Sequence, residues 1–183
     1  MYSSILIKIT DITLSIILII SLAPLFLIIS FLIKFIDKGP IFFTSLRVGK
    51  NGKLIKFYKF KTMINDNITP LGRYLRRASI DELPQIIHVL FGQMSIVGPR
   101  PLPLNVENNF KDEEKFLRRS VSPGITGYAQ IYYKGNKRTW DKKIEYDIYF
   151  VKNTNYLLYL KIILKTFNVL LIRFTKNKSG DTL

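Results

Sequence analysis

An uncharged apolar stretch near the N-terminus constrains this chain more than any other feature of its sequence. Residues 12–33 contain no Asp, Glu, Lys or Arg. That length matches the roughly 20 apolar residues that a helix needs to cross a bilayer, whereas about 10–14 usually suffice for a buried helix. The run also exceeds the apolar core of a cleaved signal peptide, which is about 7–15 residues. The stretch therefore predicts a helix inserted in a membrane.

Pro24 lies near the middle of this run and leaves two membrane topologies open. A proline inside a helix removes one backbone N–H donor and clashes with the carbonyl group four residues earlier, so a kink or break is expected. Lys8 precedes the run, and Lys34 and Lys38 follow it, so the flanking charges do not fix an orientation across the bilayer. Basic residues at both ends also suit a re-entrant helix that enters and leaves on one face. A spanning helix and a re-entrant helix both agree with the residues.

The chain is strongly basic, which narrows the class of its partners. Its 183 residues include 28 Lys and Arg against 13 Asp and Glu, for a net charge of +15. Such a surface can meet anionic lipid, nucleic acid or a phosphorylated substrate. Next to a membrane segment, each cation near the surface attracts anionic headgroups by about 1 kcal/mol. The sequence has no cysteine, which excludes a disulfide framework, a thiolate metal site and a cysteine nucleophile.

Local patterns predict an α-dominated α+β fold with a short β-hairpin. Two β-favouring runs in residues 40–61 flank Asn51 and Gly52, a pair typical of tight turns. A loop is expected at residues 65–70 and a glycine-rich turn at residues 123–127. Helices are predicted over four segments, which are residues 71–77, 82–91, 105–119 and 140–151.

The C-terminal region carries a second amphipathic pattern. Residues 156–174 present a broad apolar face, with Lys161 and Lys165 toward the other side. Such a basic amphipathic helix can lie in the bilayer interface, and core packing explains the pattern equally well. The predicted domains are a membrane-inserted helix, a cytoplasmic domain with an interfacial C-terminal helix, and a polar tail, over residues 1–38, 39–176 and 177–183.

Two adjacent carboxylates, Asp81 and Glu82, are the strongest candidates for chemistry. Ser79 and Glu82 have the spacing of a capping box, so both acids could simply begin a helix. A helix N-terminus also favours their ionised forms, which a nucleophile or a metal ligand requires. Neighbouring residues on a regular helix do not share a face, so only a helix end or bend lets both reach one site. Arg100, between two prolines, can bind phosphate bidentately.

His88 is the only histidine of the chain and lies within an apolar helical pattern. We therefore interpret it as a structural residue. The sequence contains no His-Cys cluster, which argues against zinc.

Six motifs, in order along the chain, resemble those of the monotopic phosphoglycosyl transferases, a family of bacterial sugar transferases. The resemblance extends from Lys8 to about Phe174. One departure is Ala23 before Pro24, where the family commonly has serine, whose hydroxyl could satisfy freed backbone groups. The motifs are FYKFKTM at 57–63, TPLGRYLRR at 69–77, SIDELPQ at 79–85, MSIVGPRP at 94–101, VSPGITGYAQ at 121–130 and DIYFV at 147–151.

The resemblance implies an activity and a role for each matching residue. Family members move a sugar 1-phosphate from a UDP-sugar to polyprenol (undecaprenyl) phosphate, on the cytoplasmic face of the bacterial inner membrane. Asp81 matches the nucleophile that attacks the β-phosphate and releases UMP, and Glu82 matches the acid that assists it. Mg²⁺ is expected beside Asp81 as a cofactor. The positions that match substrate-binding residues of the family are Lys59, Arg76, Arg100 and Asp147.

A different class of function agrees with the same composition. A membrane-anchored basic module could bind anionic lipid or nucleic acid without catalysis, and it would show strong salt dependence and indifference to Asp81. The enzyme interpretation instead predicts a UDP-sugar, polyprenol phosphate and anionic lipids as partners, and no nucleic acid. No residue has a readable link to the identity of the sugar or to an oligomeric state.

Overall fold

The computed structural model describes residues 2–133 and 140–176, and helices dominate it. This confirms the helix-dominated α+β class, while the predicted tail at residues 177–183 lies outside the described residues. The helices are α1 (Tyr2–Phe35), α2 (Pro70–Arg77), α3 (Ile86–Leu90), α4 (Leu104–Glu107), α5 (Asp112–Arg119), α6 (Tyr128–Tyr132), α7 (Asp141–Asn153) and α8 (Tyr156–Lys176). The strands are β1 (Phe42–Val48), β2 (Leu54–Phe60), β3 (Met63–Ile64), β4 (Asn67–Ile68), β5 (Ser95–Val97) and β6 (Gly124–Thr126).

The predicted β-hairpin is confirmed as the antiparallel pair β1 and β2. Its turn contains Asn51 at φ 55° and Gly52 at φ 75°, the left-handed conformations that Asn and Gly tolerate best. The register places Arg47 opposite Ile55. Because side chains alternate between the faces of a strand, Arg47 lies on the same face of the hairpin as Ile55, Phe57 and Lys59.

Four segments depart from the sequence predictions. The glycine-rich turn expected at residues 123–127 is instead strand β6, because its backbone pairs with β5. The loop expected at residues 65–70 instead contains a second small hairpin, β3 and β4, whose turn residues Asn65 and Asp66 both have positive φ. The helix expected over 105–119 is split into α4 and α5, because Phe110 between them turns into the core with Leu102 and Ile144. The helix expected over 82–91 begins as a 3-10 turn, Ile80–Gln85, and becomes α-helical only in α3.

Helix α1 contacts the rest of the molecule along one side, through buried residues in its first half (Asp11 and Ser15), its packing against α3, and buried residues in its second half. Near its N-terminus, the Asp11 carboxylate accepts hydrogen bonds from the Ile96 backbone N–H at 2.7 Å and from the Tyr159 hydroxyl at 2.5 Å. Toward its C-terminus, Ile29 and Ile33 pack in a core cluster with Phe60 and Leu75. The helix continues through Pro24 and is long and apolar enough to cross a membrane. Its central side chains are largely exposed, among them Ile16, Ile17, Ile20, Leu27 and Ile28.

Helix α8 has two apolar faces. Tyr159 and Ile162 are buried in a cluster with Val97 and Phe150, which confirms core packing for one face. A second set of apolar side chains is exposed, namely Leu157, Leu164, Phe167, Leu171 and Ile172. The interfacial role predicted for this helix stays a prediction and would belong to that second face.

Two short strands bring the turn around Arg100 into place. β5 and β6 pair in parallel, with Ser95 opposite Gly124 and Val97 opposite Thr126. Gly98 and Gly124 approach so closely that a Cβ on Gly124 would lie 2.0 Å from the Gly98 nitrogen. Glycine at this crossing therefore permits the chain to leave β5 directly into the turn that carries Arg100.

Candidate active site

Five of the six predicted site residues converge on one cluster. The Glu82 carboxylate, in the 3-10 turn, lies 2.5 Å from Lys59 Nζ at the end of β2 and 2.5 Å from Arg100 Nη2 after β5. Arg100 is bidentate, because its Nη1 also donates to Glu82 Oε2 at 3.2 Å. Asp81, the residue before Glu82, lies close enough to Lys59 and Arg76 for their charges to act on it. Residues from four separate segments thus form one site.

The backbone between Ser79 and Pro84 explains why both acids reach this cluster. Ser79 has a left-handed conformation, at φ 57°, and its side chain makes no capping hydrogen bond. The capping-box interpretation of Ser79 and Glu82 is therefore wrong, because the chain turns sharply before the helix and the Glu82 carboxylate pairs with cations. Since this turn is not a regular helix, two adjacent side chains can serve one site.

Asp81 and Glu82 occupy opposite electrostatic environments. Burial alone would raise the pKa of Glu82, but the charges and hydrogen bonds of Arg100 and Lys59 outweigh it and lower the pKa to about 2. Burial raises the pKa of Asp81, and the neighbouring Glu82 charge adds to the rise, although the charges of Lys59 and Arg76 oppose it. The expectation that the start of the helix favours the ionised form of both acids therefore holds for Glu82 but not for Asp81, because burial dominates there. Among the described residues Asp81 forms no ion pair. Glu82 is thus a fixed counter-ion, whereas the Asp81 carboxylate has no cation bound to it.

Arg76 is held at the site by a close approach of α2 to the chain before it. Its Nε donates to Thr62 Oγ1 at 2.7 Å. Thr69 caps this helix by accepting from the Gly72 backbone N–H at 2.8 Å. A Cβ on Gly72 would lie 2.3 Å from the Thr62 carbonyl oxygen, so only glycine permits this packing.

Arg47 is a further cation at the site that the sequence reasoning did not select. Its guanidinium lies over the Phe57 ring at 5.7 Å from the centroid, and Lys59 Nζ lies at the same distance from that ring. Burial and the nearby charge of Arg100 lower the pKa of Arg47, while Glu82 opposes the shift. A hairpin whose turn is placed at Asn51 puts Arg47 on the same face as Lys59. That register could have identified Arg47 as a candidate site residue.

Asp147 lies apart from this cluster. It is buried on α7, and its Oδ2 accepts a hydrogen bond from Arg118 Nε at 3.1 Å. Arg118 in turn donates from Nη2 to the Arg100 carbonyl oxygen at 2.8 Å. The structure therefore connects Asp147 to the site through Arg118 and the backbone of Arg100, whereas direct substrate binding by Asp147 stays a prediction.

His88 is buried, stacks on Tyr58 with ring centroids 5.3 Å apart, and pairs through Nδ1 with Gln93 Oε1 at 2.6 Å. These contacts support its interpretation as a structural residue.

A magnesium ion fits this site only with the help of a substrate. Within residues 2–133 and 140–176, no group of three or more His, Cys, Asp or Glu side chains could hold a metal. Mg²⁺ in phosphate-transfer sites commonly uses one or two carboxylates and completes its shell with phosphate oxygens and water. Asp81, which has no paired cation, suits that arrangement as the protein ligand.

The fold and the site together define a class of protein. The Glu82 carboxylate pairs with two cations, whereas the Asp81 carboxylate forms no salt bridge in the described part of the chain. Both acids lie among four basic residues, next to an apolar helix of membrane-spanning length. Such a site suits anionic, phosphorylated substrates at a lipid surface. The chain belongs to the bacterial sugar transferase family, whose model matches residues 2–173.

Known relatives extend over most of this chain. It is 38% identical over 179 residues to the UDP-glucose:undecaprenyl-phosphate glucose-1-phosphate transferase of Klebsiella pneumoniae, and this match includes 87% of the chain and 38% of that protein. It is 40% identical over 146 residues to the uncharacterized sugar transferase EpsL of Bacillus subtilis, with 73% and 71% of the two chains matched. A UDP-N-acetylgalactosamine-undecaprenyl-phosphate N-acetylgalactosaminephosphotransferase of Aeromonas hydrophila is 35% identical over 182 residues, with 90% and 43% matched. The chain thus spans less than half of the Klebsiella and Aeromonas proteins.

Proposed function

We propose that this protein is a phosphoglycosyl transferase that moves a sugar 1-phosphate from a UDP-sugar to undecaprenyl phosphate. One observation carries the proposal, namely the different environments of Asp81 and Glu82. When two neighbouring carboxyl groups have pKa values pushed in opposite directions, the environments assign them different chemical roles. The names of the Klebsiella and Aeromonas relatives support the substrate class.

In the first step, Asp81 is the nucleophile. A carboxylate oxygen of Asp81 forms a bond to the β-phosphorus of the UDP-sugar. The bond from that phosphorus to the oxygen bridging the α- and β-phosphates breaks, and UMP leaves with the electron pair. The protein then carries the phosphosugar as an acyl phosphate on Asp81. Covalent catalysis of this kind divides one difficult transfer into two easier ones.

In the second step, a phosphate oxygen of undecaprenyl phosphate attacks the same phosphorus. The bond from phosphorus to Asp81 breaks, which regenerates the carboxylate and yields a lipid-linked diphosphate sugar. Lys59, Arg76 and Arg100 stabilise the charge on the phosphoryl oxygens in both steps, since phosphoryl transfer depends chiefly on positioning and electrostatics. Mg²⁺, held by Asp81 and phosphate oxygens, would supply further neutralisation of the diphosphate charge.

Glu82 keeps the cations in place between turnovers. It pairs with Lys59 and Arg100, which would otherwise repel each other in a partly buried site. Its low pKa keeps it ionised at neutral pH. Glu82 therefore assists by holding both cations beside Asp81, ready for the incoming diphosphate.

The membrane arrangement proposed here is re-entrant. Both halves of α1 pack on the same domain, through Asp11 in the first half and Ile29 and Ile33 in the second. A helix that rests on one domain with both halves suits entry and exit on a single membrane face. With α8 in the interface, its exposed apolar face toward the acyl chains and cations among the anionic headgroups, the site would face the cytoplasm at the bacterial inner membrane.

The test is turnover with a panel of UDP-sugars. The purified protein, undecaprenyl phosphate and Mg²⁺ should release UMP with at least one UDP-sugar, and Asp81→Asn should abolish the release. UDP-glucose and UDP-N-acetylgalactosamine belong in the panel because the relatives' names differ in their sugar. Binding of lipid vesicles or nucleic acid without UMP release from any UDP-sugar, and with Asp81→Asn indistinguishable, would support the noncatalytic basic module instead.

A further inference from the structure

A network of buried charges lies behind the turn that carries Arg100. The Arg118 side chain is only 4% exposed, and its guanidinium makes three contacts. Nε donates to Asp147 Oδ2 at 3.1 Å, Nη1 to Glu107 Oε1 at 3.4 Å, and Nη2 to the Arg100 carbonyl oxygen at 2.8 Å. Arg119 completes the network by pairing with Glu107 Oε2 at 2.8 Å.

The network is balanced in charge and too small to be a ligand site. Its two guanidinium groups face two carboxylates, so each buried charge has a partner, as the high cost of desolvation requires. The cavity between Arg100, Glu107, Arg118 and Arg119 has a volume of about 10 Å³, which is about one water molecule. These buried charges therefore support a neighbouring element and do not form a second binding site.

That neighbouring element is the turn from Pro99 to Pro101. The two prolines fix their own φ angles and donate no backbone hydrogen bonds. On one side, the Pro99 carbonyl accepts from the Gly124 backbone N–H at 2.9 Å. Rotation about ψ of Arg100 sets the direction of its carbonyl group, and Arg118 donates to that oxygen. Pro101 confines the ψ of Arg100 to the extended range, and the hydrogen bond from Arg118 fixes the direction of the carbonyl group within that range.

We propose that Arg118 is a positioning residue for Arg100, with Asp147 and Glu107 as its buried counter-ions. By binding the carbonyl oxygen of Arg100, Arg118 orients the turn so that the Arg100 guanidinium reaches Glu82 and the substrate diphosphate. Asp147 then acts on the substrate only through Arg118 and Arg100. This inference rests on the proposed function for its effect on turnover, but not for its effect on diphosphate binding.

A double-mutant cycle on UDP affinity tests the inference. UDP binding to the full-length protein is measured for the wild type, Arg118→Lys, Arg100→Ala and the double variant. Arg118→Lys keeps the charge but loses the fork that reaches three acceptors, so UDP should bind about tenfold more weakly. In the Arg100→Ala background the same change should have little further effect, because the residue through which it acts is gone.

Two further variants separate positioning from general stability. Lys115→Gln removes an α5 cation that pairs only with the exposed Asp112 among the described salt bridges, and it should keep wild-type affinity. Asp147→Asn keeps an oxygen that can accept from Arg118, so it should lose less UDP affinity than Asp147→Leu. Melting temperatures report whether each variant is folded, and the Asp147 pair supplies the comparison if Arg118→Lys does not fold.

The possible results distinguish the positioning role of Arg118 from the proposed transferase function. Losses from Arg118→Lys and Arg100→Ala that multiply in the double variant would overturn the positioning role and leave the proposed function intact. A non-additive loss of UDP affinity in a protein that releases no UMP would support positioning and contradict the proposed function. A wild-type protein that does not bind UDP would contradict both.

Discussion

At the scale of single residues, the central contrast is between two adjacent acids with different surroundings. Glu82 lies 2.5 Å from both Lys59 Nζ and Arg100 Nη2. Burial alone would raise its pKa, but these contacts lower it. Asp81 is also buried but forms no ion pair in the described part of the chain, and its pKa is raised. A carboxylate attacks through an oxygen that no cation holds. Both oxygens of Glu82 are bound by Arg100, whereas Asp81 forms no ion pair among the described residues, so one of its oxygens is available for attack while the other can bind Mg²⁺.

The low pKa of Glu82 predicts a pH-dependent loss of stability in Glu82→Gln. The folded-state pKa of about 2 lies below the usual 4.5, so the contribution is full above pH 4.5 and disappears as the pH falls toward 2. It amounts to roughly 3 kcal/mol at pH 7. Denaturant unfolding in detergent should therefore show a difference between wild type and Glu82→Gln that shrinks from pH 6 to pH 3. A difference that stays constant over this range would contradict the assigned pairing.

Arg100 should not tolerate replacement by lysine. Its guanidinium binds Glu82 with two nitrogens, a geometry that a lysine ammonium group does not reproduce. Charge-assisted hydrogen bonds contribute roughly 1.5–3 kcal/mol, so Arg100→Lys and Arg100→Ala should each lower kcat/KM for the UDP-sugar by at least about tenfold. Lys115→Gln is the matched control, because it removes a basic side chain whose salt bridge among the described residues is with Asp112 and not with the cluster. Near-normal kcat/KM in Arg100→Ala would remove Arg100 from the site.

Much of this cluster could be predicted from the sequence, for reasons that differ from residue to residue. Asp81 and Glu82 form an adjacent pair of acids, and Arg100 lies between two prolines. Both patterns can be recognised in the sequence itself. Arg47 and Arg118 could not be selected in that way. The role of Arg47 depends on a strand register. That of Arg118 depends on contacts with Arg100 and Asp147, which lie 18 and 29 positions away, and no local pattern encodes either.

At the scale of elements, close backbone approaches decide where the site residues point. The pattern that predicts a helix from residue 82 does not reveal that Ser79 adopts a left-handed conformation and that a 3-10 turn comes first. That turn depends on tertiary contacts of Glu82 with β2 and with Arg100. The apolar period therefore located only the second half of the predicted helix, α3. The geometry of residues 82–85, which matters for the chemistry, depends on contacts in the assembled molecule.

Gly72→Ala should displace α2 and with it Arg76. The added Cβ would lie 2.3 Å from the Thr62 carbonyl oxygen, so the helix must shift and weaken the bond from Arg76 to Thr62. We expect a lower melting temperature and reduced kcat/KM for the UDP-sugar. Gly39→Ala is the control, since its Cβ would meet nothing closer than 3.7 Å, and it should resemble wild type. Equal behaviour of the two variants would show that the tight contact is unimportant.

The topology of α1 can be tested with single cysteines, because the chain has none of its own. Ser4→Cys lies at the exposed N-terminal end of α1, and Lys56→Cys lies at an exposed position of β2. A re-entrant helix predicts that both react with a reagent confined to the cytoplasmic side. Pro24→Leu should shift the population toward a spanning helix by restoring a backbone donor. Labelling of the two cysteines from opposite sides in the wild type would establish a spanning helix.

At the scale of the whole molecule, the site and the membrane elements are one connected structure. Asp11 of α1 binds the backbone of Ile96 in β5, and the chain continues from β5 into the turn that carries Arg100. Ile33 of α1 packs against Phe60, next to Lys59. The composition predicts a membrane helix and a basic domain. The contacts that join them link residues far apart in the sequence, so no local pattern predicts them. The lipid acceptor and the nucleotide sugar would meet where these elements join.

The most direct test of this account is the mass of Asp81 after reaction without lipid. The protein, Mg²⁺ and a UDP-sugar that supports turnover should release about one UMP per active site and then stop. Mass spectrometry should find the phosphosugar on the peptide that contains Asp81, and undecaprenyl phosphate should discharge it. Asp81→Asn should show neither UMP release nor an adduct. No UMP release until lipid is added, together with an unmodified Asp81, would contradict the covalent mechanism.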